Sequence, residues 1–247
     1  MIRISILAIV STVFSATASK EQSCPPGQHW VRQHHRRAYV RGNGTHVSAS
    51  EVSAHCQGNS SDYKVWSKRI HDGKPPTWLL KNEKPAEWTA EERERIFESL
   101  SETPKLLKGL DIEGIYRMSE SVTPENPAAS YGPYVVVYNR AFEPEGNLTQ
   151  VLDHEFAHRL YGALSDKERT SFRNAAKWSL DDAGNFVCKR PMTHFVRKNE
   201  MLSPDEDFAD GVAIYIHEPT KLKQASPEVF GWMDRHVKPK LMTGTVK

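Results

Sequence analysis

The stretch VLDHEFAHRL, residues Val151–Leu160, contains two histidines four positions apart, with a glutamate directly after the first. On an α-helix, residues four apart lie one turn above each other, so His154 and His158 face the same side and can share one metal ion. Apolar residues such as Phe156 and Leu160 predict that this helix packs against a core. The alternative interpretation is a pair of structural or surface histidines.

The residue types in this stretch indicate zinc chemistry. Neutral imidazole is a preferred ligand of Zn²⁺, and a catalytic zinc site has three protein ligands and a fourth position open to water. Glu155 lies beside the two imidazoles and is not predicted to be a ligand. We predict that Glu155 is a general base, which takes a proton from water and passes it to a leaving group. Zinc would lower the pKa of that water and polarise the scissile carbonyl group.

A third ligand is predicted in the segment SPDEDFADGVAIYI, residues 203–216, whose serine and proline are typical of a helix start. Glu206 and Asp210 then lie on one helical face, whereas Asp207 points about 100° away. We predict that Glu206 completes the site of one zinc ion and that Asp210 bonds the outer ring nitrogen of His154. The alternatives that remain open are a capping role for Glu206 and metal binding by His194 or His217.

The histidine pair and the later glutamate resemble the gluzincin class of zinc metallopeptidases. HEFAH is followed by FVRKNEMLSPDEDFAD, residues 195–210, in which Glu206 lies 48 residues after His158. More narrowly, these segments are similar to the catalytic domain of anthrax lethal factor and related secreted, toxin-like peptidases. The resemblance covers roughly residues 112–237.

This resemblance implies a ligand set and a substrate site. By position, it implies that His154, His158 and Glu206 are the zinc ligands and that Glu155 is the base. It also implies that Val135 to Tyr138 form the edge strand along which an extended peptide adds by main-chain hydrogen bonds. The implied partner is therefore a peptide or protein substrate.

The sequence departs from the lethal-factor-like pattern at one position. That pattern has a tyrosine seven residues before the ligand glutamate, where it stabilises the tetrahedral oxyanion, and this sequence has Asn199 there. An asparagine amide donates a hydrogen bond but reaches less far. The candidate oxyanion donors are Asn199, His194, Tyr161 and Tyr215.

Composition and charge divide the chain unevenly. Residues 1–18 combine a basic residue, an apolar run and a small-x-small site at Ala16–Ala18, which predicts a secretory signal peptide. No membrane span is predicted in the rest of the chain. Residues 20–81 contain ten Lys and Arg against four Asp and Glu, a net charge of +6, whereas residues 82–247 carry −5.

Residues 23–72 are predicted to form a small basic, β-rich unit, which we call the N-terminal module. Cys24 and Cys56 are predicted to form a disulfide bond in an exported chain, which leaves Cys188 unpaired. Gly42-Asn43-Gly44 indicates a hairpin turn. The positive charge predicts binding of an anionic cell-wall, glycan or membrane-surface polymer, with a solvated basic face as the alternative. No nucleic-acid reader motif is present, so no nucleic-acid partner is expected.

Prolines in residues 73–87 predict an extended linker before a mostly helical domain over residues 88–247. Capping residues and prolines mark where helices begin, and β-branched or aromatic runs mark strands. The predicted helices start at Thr89, Asn147, Ser165, Ser203 and Ser226. The helix that starts at Ser165 is predicted to run to about Leu180. The predicted strands are residues 112–118, 134–138 and 186–188.

Together these features predict an α+β fold. The resemblance implies a mostly helical, zincin-like catalytic domain with a small sheet before the metal-binding helix, preceded by the disulfide-closed N-terminal module. The predicted function is a secreted or periplasmic zinc-dependent endopeptidase. Two alternatives are an exported cell-wall or glycan-binding protein with a catalytically weak zincin scaffold, and a zinc hydrolase of cell-wall peptide amides. Whether residues 20–81 form a pro-segment is left open.

Overall fold

The computed structural model describes residues 24, 28–41, 44–58, 61–73, 75–76, 83–121, 123, 125–143 and 146–245, so the predicted signal peptide lies outside the described residues. The fold is α+β, as predicted. The strands are β1 (Gln28–Val31), β2 (His34–Arg36), β3 (Tyr39–Val40), β4 (His46–Val47), β5 (Ser50–Val52), β6 (His55–Gly58), β7 (Ile70–His71), β8 (Gly114–Arg117), β9 (Ala128–Tyr131), β10 (Tyr134–Val137), β11 (Trp178–Leu180) and β12 (Phe186–Cys188).

Among the described residues, helices are the main regular structure, and all of them except the first follow β7. They are α1 (Ser61–Trp66), α2 (Ala90–Glu102), α3 (Lys105–Lys108), α4 (Leu148–Ala163), α5 (Asp166–Ala175), α6 (Pro204–His217), α7 (Pro219–Ala225), α8 (Pro227–His236) and α9 (Lys238–Thr243), with short 3-10 turns at Asn139–Phe142, Met192–His194 and Asn199–Met201. Among the described residues, none of these helices has the length and apolar character needed to cross a membrane.

The main sheet has the strand order β7-β8-β10-β9 within the described part of the chain. β10 pairs in parallel with β8 and antiparallel with β9, so that Val135 lies between Ile115 and Ser130. The expectation that Val135 to Tyr138 form an edge strand is therefore wrong. The chain turns back at Gly132, whose φ of 60° favours glycine, and β9 covers the side of β10 that was expected to be free.

The N-terminal module contributes to the same sheet and core. β7 pairs in parallel with β8, with Ile70 opposite Ile115. Trp66 is 1% exposed, and its ring stacks on Phe156 of α4 with centroids 5.6 Å apart. The hydrophobic core therefore extends to residues before position 88, and the N-terminal module supports the helix that carries the two histidines.

The predicted capping signals hold at the helices that frame the site. The Asn147 side chain accepts a hydrogen bond from the Gln150 backbone nitrogen at 3.1 Å and begins α4. The capping boxes that open α2 and α5 are both formed. Ser203 accepts from the backbone nitrogen of Glu206 at 3.1 Å, so the first turn of α6 is fixed by its own sequence.

The helix predicted to run from Ser165 to about Leu180 is shorter than expected. It ends at Ala175, because Lys177 has a φ of 62° in the left-handed region. Trp178–Leu180 instead form β11, which pairs antiparallel with the strand correctly predicted at Phe186–Cys188. The Trp178 indole nitrogen donates to Asp207 at 2.7 Å, a tertiary contact that local sequence cannot indicate.

The N-terminal module consists of short antiparallel strand pairs, β1-β6, β2-β5 and β3-β4, and is closed by the predicted Cys24–Cys56 disulfide. The predicted hairpin is present, since the Arg41 nitrogen donates to the Thr45 carbonyl at 2.9 Å and Gly44 has a φ of 82°. Gly42 and Asn43 themselves lie outside the described residues.

The positive charges of the N-terminal module face an acidic side of α2. Three glutamates at positions i, i+3 and i+7 lie along that side, and their side chains are largely shielded from solvent. Arg37 forms an ion pair with Glu91 at 3.3 Å and Arg41 with Glu98 at 2.6 Å, and His34 Nε2 is hydrogen-bonded to Glu94 at 2.7 Å. Part of the basic charge of this module is therefore paired within the chain, while the Arg37 side chain is still 54% exposed.

Replacing Glu91, Glu94 and Glu98 together by glutamine is expected to loosen the N-terminal module from α2. The substitutions keep side-chain size but remove the anionic partners, so the free energy of unfolding should fall by roughly 1 to 3 kcal/mol. Backbone amide hydrogen exchange should rise in residues 34–41. The control carries glutamine at the exposed residues Glu120, Glu143 and Glu228 and should change neither quantity. Unchanged exchange in residues 34–41 would show that these pairs do not hold the module.

Candidate metal centre

Three predicted ligands converge where α4 packs against α6. His154 Nε2 lies 3.2 Å from His158 Nε2 and 3.4 Å from Glu206 Oε2, and His158 Nε2 lies 3.8 Å from Glu206 Oε1. Two ligands bound about 2 Å from a tetrahedral zinc ion are roughly 3.3 Å apart. The Glu206 carboxylate therefore faces both rings, and one atom from each of the three side chains could bind the same metal ion.

The surroundings of these atoms favour a positive charge. Burial opposes charge on His154, but hydrogen bonds to Asp210 and Glu206 and the nearby Glu155 outweigh it and raise the pKa of His154 to about 10. The pKa of His158 is also raised, because Asp205 and Glu155 outweigh the effect of burial. An environment that stabilises cationic rings in this way also suits a divalent cation held by the same atoms.

Each ligand histidine has a carboxylate at its outer ring nitrogen. Asp210 Oδ1 lies 3.0 Å from His154 Nδ1, the contact expected from the sequence. Asp205 Oδ2 lies 3.0 Å from His158 Nδ1, a contact that sequence reasoning missed. Such carboxylates hold the proton on Nδ1 and leave Nε2 free to bind a metal. The signal for Asp205 was its place beside Glu206 in the first turn of α6.

Glu155 is buried in the wall of the same site, with 4% of its surface exposed. Burial raises the pKa of its carboxyl group, and the adjacent His154 and His158 act in the opposite direction. Its carboxylate accepts no hydrogen bond from the described side chains, so it is available to a water molecule or a substrate group. This placement suits a group that exchanges protons beside the three ligands.

A cleft of about 490 Å³ opens onto these side chains, and we call it the metal cleft. One wall is β9 with its flanking residues, and the other walls come from α4, α6 and the segment before α6. The lining residues are 126–132, 151, 154, 155, 158, 159, 197, 199, 202, 205, 206 and 210. The antiparallel edge strand and the metal centre therefore share one groove.

The structure places one of the four candidate oxyanion donors in the metal cleft. Asn199 lines the metal cleft, whereas His194, Tyr161 and Tyr215 are not among its lining residues in the described chain. The Tyr215 hydroxyl donates to Asp234 at 2.8 Å, and the Tyr161 ring packs against Phe172 and Phe208. Tyr161 and Tyr215 are thus engaged in packing and hydrogen bonds outside the groove.

Two further donors of the metal cleft were not singled out from the sequence. Tyr131 ends β9, and Arg197 lies on the segment before α6. Arg197 Nη1 donates to Asp210 at 3.0 Å, so it also helps to fix the carboxylate that orients His154. No local pattern marks either residue, because their positions depend on sheet pairing and on a loop.

A buried network holds that loop in place. Arg190 Nη2 lies 2.6 Å from Asp207 Oδ1 and 3.6 Å from Glu200 Oε2. Glu200 Oε1 in turn accepts from the backbone nitrogens of Val196 and Arg197 at 2.8 and 2.6 Å. Burial raises the pKa of Asp207 to about 6 and that of Glu200 to about 7, and Arg190 opposes both shifts. The network therefore positions the loop that carries three cleft residues, Arg197, Asn199 and Leu202.

The alternative metal ligands left open by the sequence are not placed at the centre. His217 Nε2 bonds the buried Asp153 Oδ2 at 2.8 Å. Within the described residues, the group of His, Cys, Asp or Glu side chains close enough to hold a metal ion is His154, His158 and Glu206. Cys188 is an unpaired, half-buried thiol whose pKa is raised by burial.

The chain matches no protein-family profile, no curated protein and no solved structure.

Substituting Asp210 by asparagine is expected to weaken zinc binding by about 10- to 100-fold, because the carboxylate no longer orients His154. Asp205→Asn should have a smaller effect, since the Asp205 side chain is 47% exposed and water can replace it. Competition with a chromogenic zinc chelator measures both affinities. Asp234→Asn, which alters a carboxylate outside the metal cleft, is the control. Equal zinc affinity in all three variants would contradict the orienting role.

Proposed function

We propose that this chain is a secreted zinc-dependent endopeptidase of gluzincin type. In this proposal, His154, His158 and Glu206 hold one Zn²⁺ ion and Glu155 is the general base. The observation that carries it is the set of ligand atoms 3.2 to 3.8 Å apart, beside a buried glutamate in an open groove. The disulfide bond, typical of oxidising compartments, supports export.

The proposed reaction uses the buried carboxylate for proton transfer. When bound, zinc would polarise the scissile carbonyl and lower the pKa of a water molecule. Glu155 accepts a proton as that water attacks the peptide carbonyl, and then gives the proton to the leaving nitrogen. Asp210 and Asp205 keep both ligand imidazoles in one tautomer through the cycle.

The proposed substrate is an extended peptide bound along β9. This strand is an edge of the main sheet, and residues 126–132 line the metal cleft. The outer side of an edge strand offers backbone donors and acceptors to an added strand. A peptide bound in this way has residues on both sides of the scissile bond, which supports an endopeptidase.

The proposed oxyanion donors are those side chains that lie in the groove. Asn199 and Tyr131 line the metal cleft and carry neutral donor groups; the Tyr131 hydroxyl also interacts with Tyr138, and Arg197 is engaged with Asp210. A donor aimed at the developing oxyanion stabilises the transition state more than the substrate. We assign this role to the Asn199 and Tyr131 pair.

The alternative function, an exported binder of cell-wall or glycan polymer, has less support. It requires the basic residues of the N-terminal module to face a ligand, and Arg37 and Arg41 are instead paired with Glu91 and Glu98. A hydrolase of cell-wall peptide amides would use the same metal cleft and differs from the proposal only in substrate.

Glu155→Gln is expected to keep one zinc ion per chain and to lower kcat at least about 100-fold, because only the proton acceptor is lost. Zinc content by elemental analysis and cleavage of a mixed peptide library measure the two effects. Glu113→Gln, which alters an exposed glutamate outside the metal cleft, is the control. Wild-type rates in Glu155→Gln would exclude the assigned role.

Removing the operative oxyanion donor is expected to lower kcat by about 10²- to 10³-fold with little change in KM. The variants are Tyr131→Phe and Asn199→Ala, compared under identical zinc loading. Tyr215→Phe removes a hydroxyl that bonds Asp234 outside the groove and should retain wild-type kcat. Unchanged kcat in both cleft variants would assign oxyanion stabilisation to another group.

A further inference from the structure

Arg159 directly follows the second ligand histidine and lines the metal cleft. The residue is half-buried, and its Nε atom is shielded from solvent without a hydrogen-bond acceptor. Its guanidinium group has no ion-pair partner among the described residues. Because a shielded donor of a charged group destabilises the protein when it is unpaired, this arrangement favours a ligand that supplies an acceptor.

The other arginine of the metal cleft differs from Arg159. Arg197 Nη1 donates to Asp210 at 3.0 Å, and its Nη2 lies 3.7 Å from Glu218. Arg197 therefore has two carboxylate partners within the chain. Among the arginines that line the groove, Arg159 is the one whose positive charge is left for a bound molecule.

Of the four acidic groups that line the metal cleft, three contact the histidines and the fourth, Glu155, is the proposed general base. Asp205 contacts His158, Asp210 contacts His154, and Glu206 faces both ring nitrogens. An incoming carboxylate is thus the natural partner for Arg159, since a guanidinium group matches a carboxylate with two parallel hydrogen bonds. Because Arg159 and His158 line the same cleft, that contact lies near the proposed site of cleavage.

We infer that Arg159 determines specificity by binding a carboxylate of the substrate, so that the metal cleft selects acidic peptides. This inference rests on the proposed function and names its substrate class. The carboxylate has two sources, an acidic side chain near the scissile bond or the free C-terminus of a short peptide. In either case, Arg159 is a specificity-determining residue and takes no part in proton transfer.

The test measures peptide binding and hydrolysis separately. Matched peptides carry Glu, Gln or Lys at each position flanking a fixed bond, with either a free or an amidated C-terminus. Dissociation constants are measured with the zinc-loaded Glu155→Gln chain, with and without Arg159→Gln. We expect the carboxylate-bearing peptide to bind about 10- to 100-fold more tightly than its neutral match, and Arg159→Gln to remove this preference.

Two further variants test the shape and the sign of the charged group at position 159. Arg159→Lys retains the charge without the planar fork and should retain part of the preference, while Arg159→Glu should favour the Lys peptides. The control, Arg235→Gln, removes one positive charge at an exposed position of α8 and should leave the preference unchanged. Circular dichroism and zinc content establish that each variant is folded.

The outcomes separate the inference from the proposed function. If amidation of the peptide alone removes the preference for a carboxylate, Arg159 binds the C-terminal carboxylate. If exchange of Glu for Gln alone removes it, Arg159 binds an acidic side chain. Equal binding of acidic and neutral peptides by the chain with intact Arg159 overturns the inference, even where wild-type hydrolysis supports the peptidase. An Arg159-dependent preference without zinc-dependent hydrolysis overturns the peptidase and leaves the carboxylate site standing.

Discussion

The packing of α4 against α6 is the constraint on which the candidate site depends. It brings His158 and Glu206, 48 residues apart in the sequence, within 3.8 Å of each other. The rotation of α6 about its axis decides which acidic side chains face the histidines. Asp207 fixes that rotation from the other side, because its carboxylate is bound by Arg190 and Trp178 in the buried network. The face of α6 that contains Asp207 is anchored in this way, and the adjacent face places Glu206 and Asp210 at the candidate metal centre.

Sequence reasoning located the parts of the site that follow from helical periodicity. The spacing of four placed the histidine pair on one face, and the same spacing placed Glu206 and Asp210 together. It missed Asp205, whose contact with His158 depends on side-chain direction at the crossing of two helices. It also missed Tyr131 and Arg197, because strand pairing around β10 and the path of the loop before α6 are long-range properties.

The fold beyond the site was predictable to a similar depth. Helix starts at Thr89, Asn147 and Ser203 follow from short-range hydrogen bonds, and the structure has them where the capping residues stand. The end of α5 and the edge position of β9 depend on partners far along the chain. Charge counting found the basic N-terminal module but could not show that part of its charge is paired with the glutamates of α2, since a net charge carries no information on pairing.

The stacking of Trp66 on Phe156 restricts how such an enzyme could mature. Phe156 lies between His154 and His158 in sequence, so an aromatic ring from the N-terminal part of the chain packs under the helix that carries both histidines. A protease that cut within the linker and released everything before it would open an aromatic-sized void there, at a cost of about 3–5 kcal/mol. Processing that preserves the folded core therefore has to leave Trp66 in place, together with the strand β7 that pairs with β8.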